Sequence, residues 1–388
     1  MKRKIICLLA VITEVFLCGC SAQHKNVQYA AVADKSQYIT GVWITYSELD
    51  AMLKTDDFKS AFDGCADKCA ENNITDLYIH IRAFGDSIYK SAYFPLRESA
   101  QKDFDVLEYI VESCHKRNLR VHAWINPYRI KTSDADTSTL PAYGTVYGWL
   151  TDADTENDKN ICVSSGLYLD PASAEVRKLI IDGIREVISS YKVDGIHFDD
   201  YFYPTQDSSF DSYSYEKYTS SNKSPLGLAD WRRANVNALI SGCYTAVKFM
   251  NKDIVFSISP AASISRNYDE YYADAAAWIE NGCVDEIIPQ LYFGFEYPDK
   301  QYRFDKLLSD WKKLTQNSDV KLVIGLAAYK VATEQKPDNE EWGKKTDILY
   351  RQAEACRKDE MCSGHIFFSY SYLFSENEPN LKARQNLF

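Results

Sequence analysis

Histidine is scarce in this chain, with six in 388 residues, and one of the six lies near the start. There is no CxxC, no HxH and no HExxH. Compact metal-ligand motifs of the usual zinc types are therefore absent, and no metal or other cofactor is expected. A basic stripe is also missing, and the net charge is −11, which argues against nucleic acid as a partner. Beyond the first twenty residues no run of about 18 apolar residues occurs, so no later segment reads as a membrane span. The first strand-like run leads into TYSELD rather than a glycine-rich loop, which disfavours a dinucleotide-binding sheet.

The leader is the first feature present. MKRKIICLLAVITEVFLCGCS has a basic start, an apolar stretch interrupted by Glu14, and a small residue directly before Cys20. Residues 1–19 read as a secretory signal, and the site resembles the bacterial lipoprotein pattern with Cys20 carrying lipid. Residues 20–38 then form a tether, and the membrane is a partner through that lipid. Removing residues 1–19 takes away three positive charges and one negative, leaving −13. Eight cysteines follow Cys20, an even number that permits disulfides in an exported chain without requiring them. Most of them read as small buried side chains. Protein partners have no sequence signature.

Residues 39–388 alternate between apolar strand-like runs and amphipathic helical stretches. The strands are expected at 39–45, 76–82, 119–125, 193–199, 253–259, 285–291, 320–326 and 364–370. Eight such units predict a single (β/α)8 barrel domain, of class α/β. Two longer insertions, about 126–170 and 200–228, follow strands three and four. Both lie at the C-terminal face, where barrel sites form. The second holds five tyrosines, in a chain with 28 tyrosines and seven tryptophans. Such rings suit sugar faces, and they equally suit plain packing.

Alternation along a strand groups the polar residues. His80 shares a face with Arg82. His122, Trp124 and Asn126 share another, and His197 shares a third with Asp199. Asp200 steps onto the following loop. Asp86, Arg129, Tyr201, Tyr203, Gln290, Tyr292, Glu296 and Tyr329 lie at comparable strand ends. The substrate-contacting set read from these positions is His80, Arg82, Asp86, His122, Trp124, Asn126, Arg129, His197, Tyr201, Tyr203, Gln290, Tyr292 and Tyr329.

GVWITYSELD, IHIRAFGDSIYKSAYFP, VHAWINPYRI, DGIHFDDYFYP and PQLYFGFEYP together resemble the signatures of glycosyl hydrolase-like family 10, across about residues 39–374. The resemblance implies a barrel acting on glycans, with some relatives cleaving peptidoglycan strands stripped of their peptides. It also implies Asp199 and Asp200 as the acidic centre. DGIHFDDY is similar as well to the DxxDxDxE pattern of chitinase-like barrels, but it places Tyr201 where that pattern has its acid glutamate.

Glycoside cleavage ordinarily needs one protonated carboxyl and one carboxylate. Asp200 is expected to be the acid and Asp199 an orienting or stabilising carboxylate. Glu296 is expected to reach in from across the barrel as the second principal group, and His197 to tune the proton. Two alternatives stand beside this one. One is a metal-dependent carbohydrate hydrolase or deacetylase built on His80, His122 and His197. The other is a non-catalytic glycan-binding lipoprotein.

Overall fold

The computed structural model describes residues 38–331 and 339–388. The expected signal segment, Cys20 and all of the tether but its last residue lie outside the described residues.

Eight parallel strands close into a barrel, each hydrogen-bonded to the next in sequence and the last to the first. They are β1 (Ile39–Ile44), β2 (Asp76–Arg82), β3 (Arg120–Ile125), β4 (Gly195–Phe198), β5 (Val255–Ile258), β6 (Glu286–Ile287), β7 (Lys321–Leu326) and β8 (Cys362–Phe367). Helices pack outside, including α1 (Tyr46–Leu53), α2 (Phe58–Glu71), α3 (Val106–His115), α4 (Thr145–Thr151), α5 (Ala174–Ser190), α6 (Ser212–Ser221) and α7 (Leu228–Met250). Each outward strand face meets apolar helix residues in one continuous core, such as Leu77 and Ile79 with Phe62 and Ile110. The expected eight units are the eight observed.

Local chemistry sets the boundaries. Thr45 and Glu48 form a capping box at the start of α1. Asn73 and Asn118 turn through positive φ after α2 and α3, as a helix stop requires. The sixth strand is shorter than its apolar run because Pro289 has no N–H to give the ladder. Pairing resumes only as isolated bridges at Gln290.

The inward face is less ordinary. One small apolar cluster fills it: Ile39, Trp43, Tyr78, Trp124, Ile288, Val323 and Ile366. Barrel interiors usually hold branched aliphatic residues. Here β3 and β4 bring two histidines inside. A side chain at Gly195 would put its Cβ 2.2 Å from His122 Nδ1, so the glycine of DGIHFDD makes room for that ring. Asp194 beside it accepts from Val121 N–H and contacts His115 Nε2, tying β4 to β3 and α3.

Both insertions sit at the C-terminal rim. The first contains a three-stranded antiparallel sheet, Arg129–Lys131, Ile161–Val163 and Leu167–Leu169, together with α4. The second is anchored by a buried Arg232–Asp211 pair and joined to the first through Ser214 and Asp170. The eight described cysteines after Cys20 are unbridged thiols, seven of them buried.

Candidate active site

β4 ends at Phe198, so Asp199 and Asp200 stand at the mouth of the barrel. Asp199 is 3% exposed, whereas Asp200 is half-buried and reaches the Gln290 amide. Trp124 Nε1 donates to Asp199 Oδ2 at 3.1 Å, and the Tyr201 backbone N–H donates to Oδ1 at 3.1 Å. Both carboxylate oxygens are thereby fixed in place. Burial, and then the adjacent Asp200, push the Asp199 carboxyl up to about 7, against the opposing pull of Arg129. Burial also raises Asp200, opposed by the Gln290 amide and by the Arg129 and Arg266 guanidiniums. Burial raises both carboxyls, and the charge of Asp200 adds to the rise at Asp199, which favours a proton on the pair, as a general acid requires.

Aromatic and amide groups surround the pair. The Arg129 guanidinium lies over the Tyr201 ring at 3.8 Å. Tyr292 packs edge-on to Tyr329 at 5.8 Å and beside Phe368. Trp124 stacks flat on His80, with centroids 3.7 Å apart. His80 is 2% exposed and Asn126 fully buried. Neither His80 ring nitrogen has a partner at hydrogen-bond geometry, and neither does Asn126 Oδ1, although the Asn126 amide lies close enough to favour a proton on the ring. Burial, then the charges of Arg97 and Arg129, keep the His80 imidazole neutral. A neutral imidazole offers one donor and one acceptor, so this corner can take a hydroxyl or an amide.

The structure thus brings His80, Trp124, Asn126, Arg129, Tyr201, Gln290, Tyr292 and Tyr329 together around Asp199 and Asp200. Other expected members are placed elsewhere. A register shift between His80 and Arg82 turns Arg82 out of the cleft and onto the Phe94 ring at 4.1 Å, so the two do not share a face. Asp86 is held by Arg97 in a two-pronged pair of 2.9 and 3.1 Å. Tyr203 is buried between Phe210 and Tyr272 inside the second insertion.

His122 lies deep in the barrel, not at the rim. It contacts Asp76 at 2.8 Å and stacks on Tyr78. His197 lies below the site with both ring nitrogens engaged. Its Nε2 accepts from Trp43 Nε1 at 3.1 Å, which leaves the proton on Nδ1, 2.9 Å from Ser257 Oγ. Burial keeps it neutral. It neither tunes the aspartate proton through a hydrogen bond nor has a nitrogen free for a metal. The three histidines therefore do not converge as ligands, and no group of three metal-binding side chains occurs among the described residues.

Glu296 also departs from expectation. It is exposed, 2.7 Å from Lys345, and its charge faces Lys345, Arg351 and Arg303 rather than the aspartates. Other carboxylates of the rim are engaged too. Glu48 accepts from Ser369 Oγ and Ser371 N–H, and Asp170 from Ala172 N–H. Sequence reasoning missed Tyr46, edge-on to His80 and Phe84, and Arg266, which bears on Asp200. Both follow strand ends (β1 and β5), the same positional signal that singled out the others.

The geometry is that of a glycan-acting barrel, and the comparisons agree. The sequence profile described as glycosyl hydrolase-like 10 matches residues 38–343. Glycosyl hydrolase YngK of Bacillus subtilis is 30% identical over 382 residues, covering 89% of this chain and 70% of its own. Glycosyl hydrolase DigH of Escherichia coli K12 is 30% identical over 332 residues, covering 79% of this chain and 73% of its own. Among solved structures, the glycoside hydrolase domain of PgaB (BpsB) from Bordetella bronchiseptica superposes with a TM-score of 0.59 at 12% identity, over 89% of this chain and 98% of that one. The catalytic domain of β-amylase from Paenibacillus polymyxa gives a TM-score of 0.59 at 9% identity, over 92% and 99%. Those two likenesses concern the fold alone. With a profile match over most of its length, this chain belongs to the glycosyl hydrolase-like 10 family and is a glycoside hydrolase.

Proposed function

We propose that the enzyme cleaves glycosidic bonds of a bacterial cell-wall amino-sugar glycan, with peptide-stripped peptidoglycan strands as substrate. The reading rests chiefly on one observation. Asp200 stands half-buried at the barrel mouth with a raised pKa, backed by an Asp199 whose two oxygens are already fixed. Asp200 donates its proton to the leaving oxygen as the glycosidic bond breaks. Asp199, fixed by Trp124 and the Tyr201 N–H, orients it.

A two-carboxylate mechanism places its groups on opposite sides of the sugar, about 5–10 Å apart. Asp199 and Asp200 are chain neighbours, and Glu296 is turned to Lys345. The missing role falls to the substrate itself. The carbonyl oxygen of a 2-acetamido group attacks the anomeric carbon as the leaving group departs. Water then opens that ring, giving its proton to Asp200. Such assistance needs an N-acetylated amino sugar, and cell-wall strands supply one.

The leader fits the same setting. A lipid on Cys20 and a tether over residues 20–38 would hold the exported barrel at the membrane beside its substrate. Labelled palmitate that enters the wild type but not Cys20→Ser supports this anchor; equal labelling refutes it.

The deciding experiment compares peptide-stripped strands before and after removal of their N-acetyl groups. Mass spectrometry is expected to show saccharides released from the acetylated strands only. Equal release from both eliminates the acetamido group. Release from neither rules out peptide-stripped cell-wall strands as the substrate.

A further inference from the structure

A second cavity, of about 340 Å³, opens beside the cleft between the β2 loop and the first insertion. That volume lies within the range of about 300–1,000 Å³ typical of ligand pockets. Its walls are mostly apolar, with Phe84, Ile130, Leu140, Pro141, Tyr143 and Tyr147 prominent.

Three observations make it more than a surface dent. First, it is linked to the aspartate cluster through shared side chains. Phe84 lines the cavity, packs edge-on to Tyr46 at 5.0 Å, and lies 6.0 Å from the Arg129 guanidinium. Tyr46 in turn contacts His80, and Arg129 bears on both aspartates. Second, it is built before any ligand arrives. Gly144 sits at φ +92°, and a Cβ there would lie 2.8 Å from Pro95. That close approach lets α4 dock on the β2 loop, where Thr145 N–H bonds Tyr93 O at 2.8 Å. The Tyr143 hydroxyl accepts from Leu96 N–H at 2.9 Å and donates to Leu96 O at 3.2 Å. Third, its charged lining groups are already neutralised. Asp86 is paired with Arg97, and Lys131 with Asp134.

We infer that this cavity is a remote subsite for an uncharged sugar unit of the same glycan chain whose scissile bond lies at Asp200. The inference rests on the glycan-hydrolase reading. Phe84 links the cavity to the aspartate cluster, through Tyr46 on one side and Arg129 on the other, so neighbouring units of one chain can occupy both. The ring faces of Phe84, Tyr143 and Tyr147 suit the C–H face of a pyranose. With its wall charges paired, the cavity has no free cation to reward an acidic sugar. Binding energy gained there, away from the reacting bond, raises turnover only of chains long enough to reach it.

The test uses the full-length enzyme with N-acetylated glycan oligosaccharides of graded length. Tyr147→Ala removes a wall, and Ser133→Trp fills the cavity from its exposed rim. Both residues stand outside the catalytic cluster. Each variant is expected to lower kcat/KM about 5- to 10-fold on long oligosaccharides, the scale of one lost aromatic contact. The shortest cleaved oligosaccharide is expected to react at the wild-type rate. An equal effect at every length, or no effect at any length, overturns the subsite. If the wild type cleaves no oligosaccharide at all, it is the proposed function that falls. Circular dichroism of both variants separates misfolding from loss of the subsite.

Discussion

The barrel interior carries two acidic centres, one at each end, and β3 serves both. At the closed end, Arg120 and His122 hold Asp76, with contacts of 2.8 Å each. At the open end, two residues further along, Trp124 holds Asp199. Both aspartates are almost wholly buried. Burial alone would raise each. At Asp76 the His122 hydrogen bond, the charges of His122 and Arg120, and a Thr75 bond outweigh it, and the carboxyl stays below its usual range. At Asp199 the neighbour is another carboxyl, and the group goes up. The closed end also has a second acid, Glu286, raised by burial and facing Tyr78 OH at 3.4 Å. The lesson is that residue type does not separate structure from chemistry here. Partners do. The closed end pairs Asp76 with basic groups and leaves one ring nitrogen, His122 Nδ1, without a partner; the open end leaves both His80 ring nitrogens and Asn126 Oδ1 without one and holds two carboxyls raised.

Asp200→Asn tests the open end most severely. Turnover on acetylated strands is expected to fall about 10²- to 10⁴-fold, the scale of general acid catalysis, with folding and glycan binding kept. Wild-type turnover by a folded variant would refute the acid assignment. Asp76→Asn is the counterpart at the closed end. It strands buried His122 and half-buried Arg120, and about 3–5 kcal/mol of stability is expected to go. Specific activity per folded molecule should stay within about two-fold of wild type, since no chemistry passes through Asp76. Denaturant unfolding and kcat, measured on the same sample, decide this.

The two ends also differ in the sign of their pH dependence. Asp76, with a depressed pKa, contributes stability that is present above its unfolded value and lost as pH falls through the folded one. Asp199 runs the other way. Its folded pKa is raised, so the native state binds the extra proton, and stability declines as pH rises from about 4 towards 7 and stays lower above that. Asp199→Asn removes that decline. Its melting temperature relative to wild type is expected to improve between pH 5 and pH 8, while activity drops. A stability difference that does not change over that range refutes a raised Asp199. For the wild type, kcat/KM should fall as pH rises through the raised pKa of the Asp200 acid, on the alkaline side of an ordinary aspartate.

Much of this was readable from periodicity. Eight apolar runs between amphipathic helices specify the barrel, and Asn73 and Asn118 mark helix ends that the backbone honours. The aspartates and most of their aromatic neighbours follow from the rule that residues at strand ends reach the mouth. Depth along a strand was harder to read. His122 and Trp124 share a face, yet one step of two residues separates the structural network from the catalytic cleft. Arg82 was misplaced because a bulge is a one-residue event that alternation cannot foresee. Asp86 and Tyr203 were misplaced because their partners, Arg97 and Tyr272, are fixed by tertiary packing.

Glu296 carries the smallest expected effect and the cleanest distinction. The chain after β6 carries it past the rim, where Glu341 accepts its backbone N–H at 2.8 Å and Lys345 neutralises its side chain. The Lys345 hydrogen bond and charge hold its pKa below the usual range, so it has no proton to give near neutrality. An exposed pair of this kind adds little stability. Glu296→Gln should therefore leave kcat within about two-fold and the pH profile in place. A loss of about 100-fold or more would mean that Glu296 swings to the sugar when substrate binds, as a second principal carboxylate must. In that event the acetamido group would lose its role as nucleophile. Strands without N-acetyl groups would then be cleaved as readily as the native ones.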